Sequence, residues 1–306
     1  MRRTTFSVLV VLSFLAARPM ADESLAERLA ARVRFFDGTV SLYAKNLDTG
    51  RDVALAADRR VRTASTIKLP ILCALEALVA GGRVRWDEML RVRHDDKVAG
   101  SGVLADVEDD TALSVRNVAT LMIIVSDNTA TNLVLDRISA DAVNDLLDTL
   151  GLRDTRVLRK VRGDGAALAS PSGWSRAGLV EANRRYGLGV STPRDMVRLL
   201  EMLHRGQVVS PAASKDVLGI LERQQVKAGI GRHAPGDERV ASKSGALDAL
   251  RSDVGIAYTA GGPVAMAITV DDMPAVDYSP DNAGNRLISD LARLIAADLG
   301  RPGLQP

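Results

Sequence analysis

The ten residues Thr63 to Leu72 read TASTIKLPIL. Just upstream, GTVSLYAKNLDTGRDVALAA reads as two strands around the turn Asp48-Thr49-Gly50. Just downstream, the apolar run LPILCALEALVA opens the helical part of the chain. The stretch also sets Ser65 three residues before Lys68. Positions i and i+3 share one face of a helix. If a helix begins near Ser65, Lys68 stands beside its hydroxyl, and the helix N-terminus offers backbone N–H groups to a developing oxyanion. A serine hydroxyl is a weak nucleophile and needs a base. A lysine acts as one only when burial or a neighbouring positive charge keeps it partly neutral. By itself Ser-x-x-Lys arises often by chance, and the polar first turn of a core helix accounts for it better.

Working outward, DESLAERLAARVRFF has helical spacing. SVRNVATLMIIV places Val118, Leu121, Met122 and Val125 on one helical face. SADAVNDLLDTLG takes Ser139 as N-cap, carries Val143, Leu146, Leu147 and Leu150 inward, and stops at Gly151. TPRDMVRLLEMLHRG starts with Thr192 as N-cap, Pro193 at the first helical position and Asp195 completing the capping pattern. ERVASKSGAL, SDVGIAYTA and PVAMAITV are short and β-rich, with Gly261-Gly262 turning the last pair. NRLISDLARLIAADLG closes as an amphipathic helix with Leu287, Ile288, Leu291, Leu294 and Ile295 inward. Strands early, helices in the middle and strands late predict an α/β (α+β) fold: an antiparallel sheet flanked by helices, with an inserted all-helical lobe. The expected sheet lobe covers about 22–62 and 210–300, and the helical lobe about 63–209.

The chain has 306 residues, 46% hydrophobic and 25% charged, enough for a large core. A formal charge of +2 gives no reason to invoke nucleic acid or an acidic membrane surface. MRRTT followed by the apolar FSVLVVLSFLAA reads as a secretory signal over 1–21, cleaved between about Ala17 and Ala21. The run is short for a bilayer span, and an uncleaved anchor is the alternative. The single cysteine, Cys73, sits in an apolar run and reads as a small core residue. His94, His204 and His233 lie far apart without ligand-type spacing, so neither a metal nor a cofactor is expected.

Two further stretches change the odds for Ser-x-x-Lys. Ser126-Asp127-Asn128 lies where one helical pattern ends and the next begins, and Lys243-Ser244-Gly245 lies on a predicted strand. With Ser65 and Lys68, this ordered triplet resembles the class A β-lactamases and their penicillin-binding relatives. TPRDM, SDNTATNL, GSGVL (Gly100 to Leu104) and the closing strand–strand–helix strengthen the resemblance, which covers nearly the whole mature chain. It implies a β-lactamase-like fold. It also implies Ser65 as the acylated nucleophile, Lys68 as its proton acceptor, and Ser126 as a relay toward the leaving nitrogen. Asn128 would bind the substrate's side-chain amide, and Asp127 would brace the turn. Lys243 and Ser244 would hold the substrate carboxylate, with Lys243 also depressing the pKa of Lys68. The backbone N–H groups of Ser65 and Ala246 would form the oxyanion hole. Arg251 is a weaker candidate for a second carboxylate contact, with a structural salt bridge as the alternative.

One element departs from the family pattern. Class A enzymes carry a loop glutamate that activates the deacylating water, in an Arg-x-x-Arg-x-Glu motif. In TRVLRKVRGDG, Arg156 and Arg159 match, but Val161 falls where the glutamate belongs. The loop from Val161 to Ser191 is also longer than usual; Asp164 and Glu181 lie within it, and Glu181 with Asn183 is a candidate substitute. The expected function is an exported serine hydrolase, periplasmic or secreted, that forms an acyl-enzyme at Ser65 and opens the β-lactam amide, with weak deacylation. A D,D-peptidase-like penicillin-binding enzyme is the first alternative, and an acylated β-lactam binding or sensing module without turnover is the second. The expected partner is a small-molecule β-lactam or peptidoglycan-like acyl substrate, with no nucleic acid, no membrane after signal cleavage, and a monomeric state.

Overall fold

A computed structural model describes residues 23–161, 173–234 and 239–302. The signal segment and Asp164 lie outside the described residues. The chain enters through α1 (Leu25–Val33), where Ser24 and Glu27 form a reciprocal capping box. It continues through β1 (Thr39–Asn46), β2 (Asp52–Leu55) and the short β3 (Val61–Arg62). A 3₁₀ turn at Ala64–Ile67 then leads into α2 (Lys68–Ala80). Nine consecutive residues of α2, Lys68 to Glu76, are buried. A helix apolar all round belongs in the middle of a core, and α2 is packed by α3 (Val115–Ile124), α4 (Asn128–Ile138), α5 (Ala140–Thr149) and the later α8. A small ladder, β4 (Met89–Val92) with β5 (Thr111–Ser114), precedes α3.

The buried face of α3 is Val115, Val118, Ala119, Met122 and Ile123, wider than the spacing predicted. Leu121 is half-buried, and Val125 is already the C-cap, because α2, α4 and α8 all press on this helix. Ser139 caps α5 as expected, its hydroxyl accepting from Ala142 N at 3.1 Å. After β6 (Arg156–Val157) come α6 (Arg176–Leu179) and β7 (Gly189–Ser191), which pairs with both β3 and β6. Thr192 then caps α7 (Pro193–His204), and α8 (Pro211–Glu222) follows. Sequence patterning assigned α7 to the helical lobe; it packs across β1 and β10, so it joins that lobe to the sheet.

The chain returns to the sheet through β8 (Val240–Leu247), β9 (Leu250–Thr259) and β10 (Gly262–Asp271), and ends in α9 (Ala283–Leu299). The five strands run in the order β2-β1-β10-β9-β8, all pairs antiparallel. One face carries Leu42, Met266, Ile268 and Val270 against α1 and α9. The other carries Val254, Ile256, Ala265 and Ala267 against the helical core. Strand side chains alternate between faces, which is how three consecutive strands feed two separate cores. β8 is left as a free edge, and the turn holding Ser65 packs along it.

Candidate active site

Ser65 sits on the 3₁₀ turn, partly exposed, wedged between β7 and β8. On one side Thr63 N donates to Gly189 O at 3.1 Å, and a Cβ on Gly189 would lie 2.7 Å from Ile67 Cγ1. On the other, a Cβ on Gly245 would lie 2.9 Å from Thr63 O and 3.0 Å from Ser65 N. Any side chain at Gly245 would push the free edge of β8 away from the Ser65 backbone. The squeeze is strong enough to hold Ala64, 2% exposed, at φ +47°. That left-handed conformation costs a non-glycine residue about 1–2 kcal/mol, and such strain collects at functional sites.

Lys68, the first residue of α2, is fully buried. Its Nζ donates to Ser126 O at 2.6 Å, Asn128 Oδ1 at 2.9 Å and Ser126 Oγ at 3.2 Å. Among the described residues its hydrogen bonds do not include Ser65; the long side chain crosses to the α3–α4 junction, where these acceptors and Asp127 O, at 3.5 Å, meet it. Catalytic hydrogen bonds are often incomplete before substrate arrives. Burial holds the Lys68 amine well below its ordinary pKa; the charge of Lys243 lowers it further, and Asp127 opposes both.

The α3–α4 junction is itself strained. Ser126 is 6% exposed at φ +58°. Asp127 caps α4, accepting from Ala130 N at 2.8 Å, and its second oxygen accepts from Val103 N at 2.6 Å and Leu104 N at 2.8 Å. Asn128 N donates to Ser101 O at 2.9 Å, and Asn128 Nδ2 to Ala99 O at 3.1 Å. The GSGVL segment is thereby fastened to the triplet, and Gly102 has no room for a Cβ, which would fall 2.2 Å from Asp127 Oδ2.

Lys243 on β8 is also fully buried, donating to Ser244 O at 2.8 Å. Burial pulls its pKa down to about 7, against the opposing charge of Asp253. Asp253 stands directly across from Ser244 in the β8–β9 register. It accepts from Ile230 N at 2.8 Å, and burial raises its pKa to about 6. Only glycine fits beside it: a Cβ on Gly229 would lie 2.3 Å from Asp253 Oδ2. Nothing in the sequence pattern marked Asp253 or Gly229, and Gly245 was marked only as part of the Lys243-Ser244-Gly245 motif. The available signal for Asp253 was a carboxylate opening the apolar stretch Val254 to Ala257 of a predicted strand.

Arg251 forms no salt bridge among the described residues. It is 2% exposed, and its guanidinium donates to Leu247 O and Leu250 O, both at 2.5 Å, and to Asp277 O, with the Tyr278 ring 4.7 Å away. Those carbonyls tie the β8–β9 turn to the 277–278 segment, which assigns Arg251 a structural position.

The loop that departs from the family pattern is anchored by a residue the sequence reading passed over. Asn132 Nδ2 donates to Val161 O and its Oδ1 accepts from Val161 N, both at 2.8 Å. Asn128 and Asn132 are i and i+4 on α4, about 5–6 Å apart on one face. Val161 is therefore held one helical turn from the residue that binds Lys68. Glu181, by contrast, has a side chain 83% exposed and paired with Arg184 at 3.0 Å. Asn183 accepts from Arg60 at 2.8 Å and donates to Ala177 O at 2.9 Å. The structure puts neither with Ser65.

Comparison with known proteins gives a consistent result. The profile of the Beta-lactamase enzyme family matches residues 24–299. A β-lactamase of Amycolatopsis lactamdurans is 24% identical over 93% of this chain and 88% of its own. The crystal structure of a β-lactamase from Sphaerobacter thermophilus superposes with a TM-score of 0.77 and 32% identity, covering 92% of this chain and 97% of that one. PBP-A superposes with a TM-score of 0.76 and 26% identity, covering 89% and 94%, and a mutant of it is solved as an acyl-enzyme complex with penicillin G.

Proposed function

The chain belongs to the β-lactamase enzyme family, and from that premise we propose that it is a serine hydrolase acylated at Ser65 by β-lactams, with slow release of the acyl group. The observation that carries this reading is the convergence of two fully buried lysines, Lys68 and Lys243, with Ser126 and Asn128 beside the Ser65 turn. A buried amine of depressed pKa is free to take a proton at neutral pH, which few surface lysines are.

In the proposed reaction the Ser65 hydroxyl passes its proton to neutral Lys68 as Oγ bonds to the lactam carbonyl carbon. The carbonyl oxygen becomes an oxyanion facing the N–H groups of Ser65 and Ala246. The carbon–nitrogen bond then breaks, Ser126 protonates the departing nitrogen, and Lys68 returns a proton to Ser126. Asn128 orients the acyl amide, and Lys243 with Ser244 holds the substrate carboxylate. Releasing the acyl group requires a water and a group to take its proton, and the valine held at position 161 supplies neither.

Val161 and the likeness to PBP-A also favour a second reading, a penicillin-binding enzyme whose own substrate is a peptidoglycan-like acyl peptide. We place the mature protein in the periplasm or outside the cell, on the basic and apolar start of the sequence. The test of the central reading is labelling by a fluorescent penicillin. Wild type should label stoichiometrically and Ser65→Ala not at all, with an unchanged melting curve. Undiminished labelling of Ser65→Ala would remove Ser65 from the chemistry.

A further inference from the structure

A cavity of about 600 Å³ lies between the start of β1, β3, the end of β10 and the 181–186 turn. Four arginines line it, Arg59, Arg60, Arg62 and Arg185, against two aspartates, Asp271 and Asp272. The arginines differ in what they already hold. Arg62 grips Asp271 through both Nε and Nη2, the fork-on-carboxylate arrangement. Arg60 and Arg185 lie over the buried Tyr186 ring, 5.0 and 4.8 Å from its centroid. Each is pinned by one further bond: Arg60 Nη2 to Asn183 Oδ1 at 2.8 Å, and Arg185 Nη2 to the Tyr186 hydroxyl at 2.7 Å. Arg59 makes no side-chain hydrogen bond or ion pair among the described residues. Asp272 accepts from Thr39 Oγ1 at 3.1 Å and forms no ion pair there.

A guanidinium has five N–H donors, so Arg60 and Arg185 each use a small part of their capacity, and Arg59 uses none of it within the described residues. Fixing two of them on an aromatic ring removes much of the rotamer freedom that a ligand would otherwise have to quench. Asp271 shows what a carboxylate satisfies in this cavity, which is one arginine. The other three leave room and charge for an anion with more oxygens. Tetrahedral phosphate, which accepts several guanidinium forks at once, fits that requirement.

We propose that this cavity is a binding site for a phosphate-type anion, either free phosphate and its soluble esters or the phosphodiester of a lipid headgroup. None of the residues lining the cavity takes part in the proposed reaction, so the site does not rest on the acylation reading.

The test titrates the full chain with inorganic phosphate by calorimetry at fixed ionic strength, with acetate as the control. A parallel arm pellets the protein with phosphatidylglycerol or phosphatidylcholine vesicles. Saturable binding of phosphate over acetate is expected, weakened about tenfold or more in Arg59→Gln and Arg60→Gln, since hydrogen bonds between charged groups are worth that much each. Arg59→Gln should melt at the wild-type temperature, which shows that it folds. Binding to phosphatidylglycerol alone among the vesicles, lost in Arg59→Gln, would assign the headgroup as the source; phosphate binding without pelleting would assign a soluble one. Absence of both, equal binding of acetate, or phosphate binding undiminished in Arg59→Gln would overturn the proposal.

Discussion

The two sides of the pocket differ in what they do with charge. On the side formed by the 3₁₀ turn, the α3–α4 junction and β8, ionisable groups are buried: Lys68 and Lys243 have no exposed surface, and Asp127 is 1% exposed. On the other side Asn132 holds the backbone at Val161, and the described loop carboxylate Glu181 stays in solvent with Arg184. The first side resists the cost of burying charge by shifting pKa and by supplying acceptors. Among its described residues the second side holds no buried carboxylate. In the proposed reaction the two halves of an acyl-transfer cycle depend on different parts of one pocket, and the contrast is the ground for expecting acylation to outpace release of the acyl group.

The largest effect that can break this comparison is at Lys68. Lys68→Met should slow acylation by roughly 10²–10⁴-fold, the contribution of a positioned base. Stopped-flow labelling measures it, and an unchanged rate would move the proton to another group. The next effect tests the other side. Val161→Glu should shorten the lifetime of a penicillin adduct by about 10²-fold or more, because it restores a carboxylate where Asn132 fixes the loop. An adduct equally long-lived in that variant would show that the backbone position does not aim a side chain at the acyl group.

A smaller effect comes from the buried charge itself. Burial has lowered the folded pKa of Lys243 to about 7, below its ordinary value of 10.5. Between those values the unfolded chain binds more protons than the native one, so this group makes stability rise with pH across that window. Below pH 7 its destabilising contribution is fully present. Lys243→Met should therefore melt at a higher temperature than wild type near neutral pH, with the gap narrowing as pH rises toward 10. In the proposed reaction the same deprotonation of Lys243 weakens the hold on substrate carboxylate above about pH 7, so the second-order acylation rate should fall on the alkaline side. A melting gap independent of pH would contradict the burial of a titrating lysine. Smallest of all, Glu181→Gln should leave both acylation and adduct lifetime unchanged; a longer-lived adduct would bring the exposed carboxylate back into the site.

Much of this was legible in the chain. Period-2 and period-3.6 patterns, together with Ser139, Thr192 and Pro193 at helix starts, located the sheet strands and most helices, because caps and periodicity are local signals. The family resemblance carried by Ser65, Lys68, the Ser126 triplet and Lys243 pointed to one site. What escaped was set by tertiary packing. Ala64 and Ser126 take left-handed backbone without a glycine to announce it. The buried face of α3 widened because three helices press on it. No local signal announces the two bonds that Asn132 makes with Val161. Arg251 offered two sequence readings, a carboxylate contact or a salt bridge, and took backbone carbonyls instead.

The most direct test of the imbalance between the two sides is a time course of intact-protein mass spectrometry after mixing with a small excess of penicillin, run beside steady-state hydrolysis. The account predicts rapid conversion to a single adduct on Ser65 that persists while bulk penicillin is scarcely consumed. Rapid, complete hydrolysis with no accumulating adduct would contradict it.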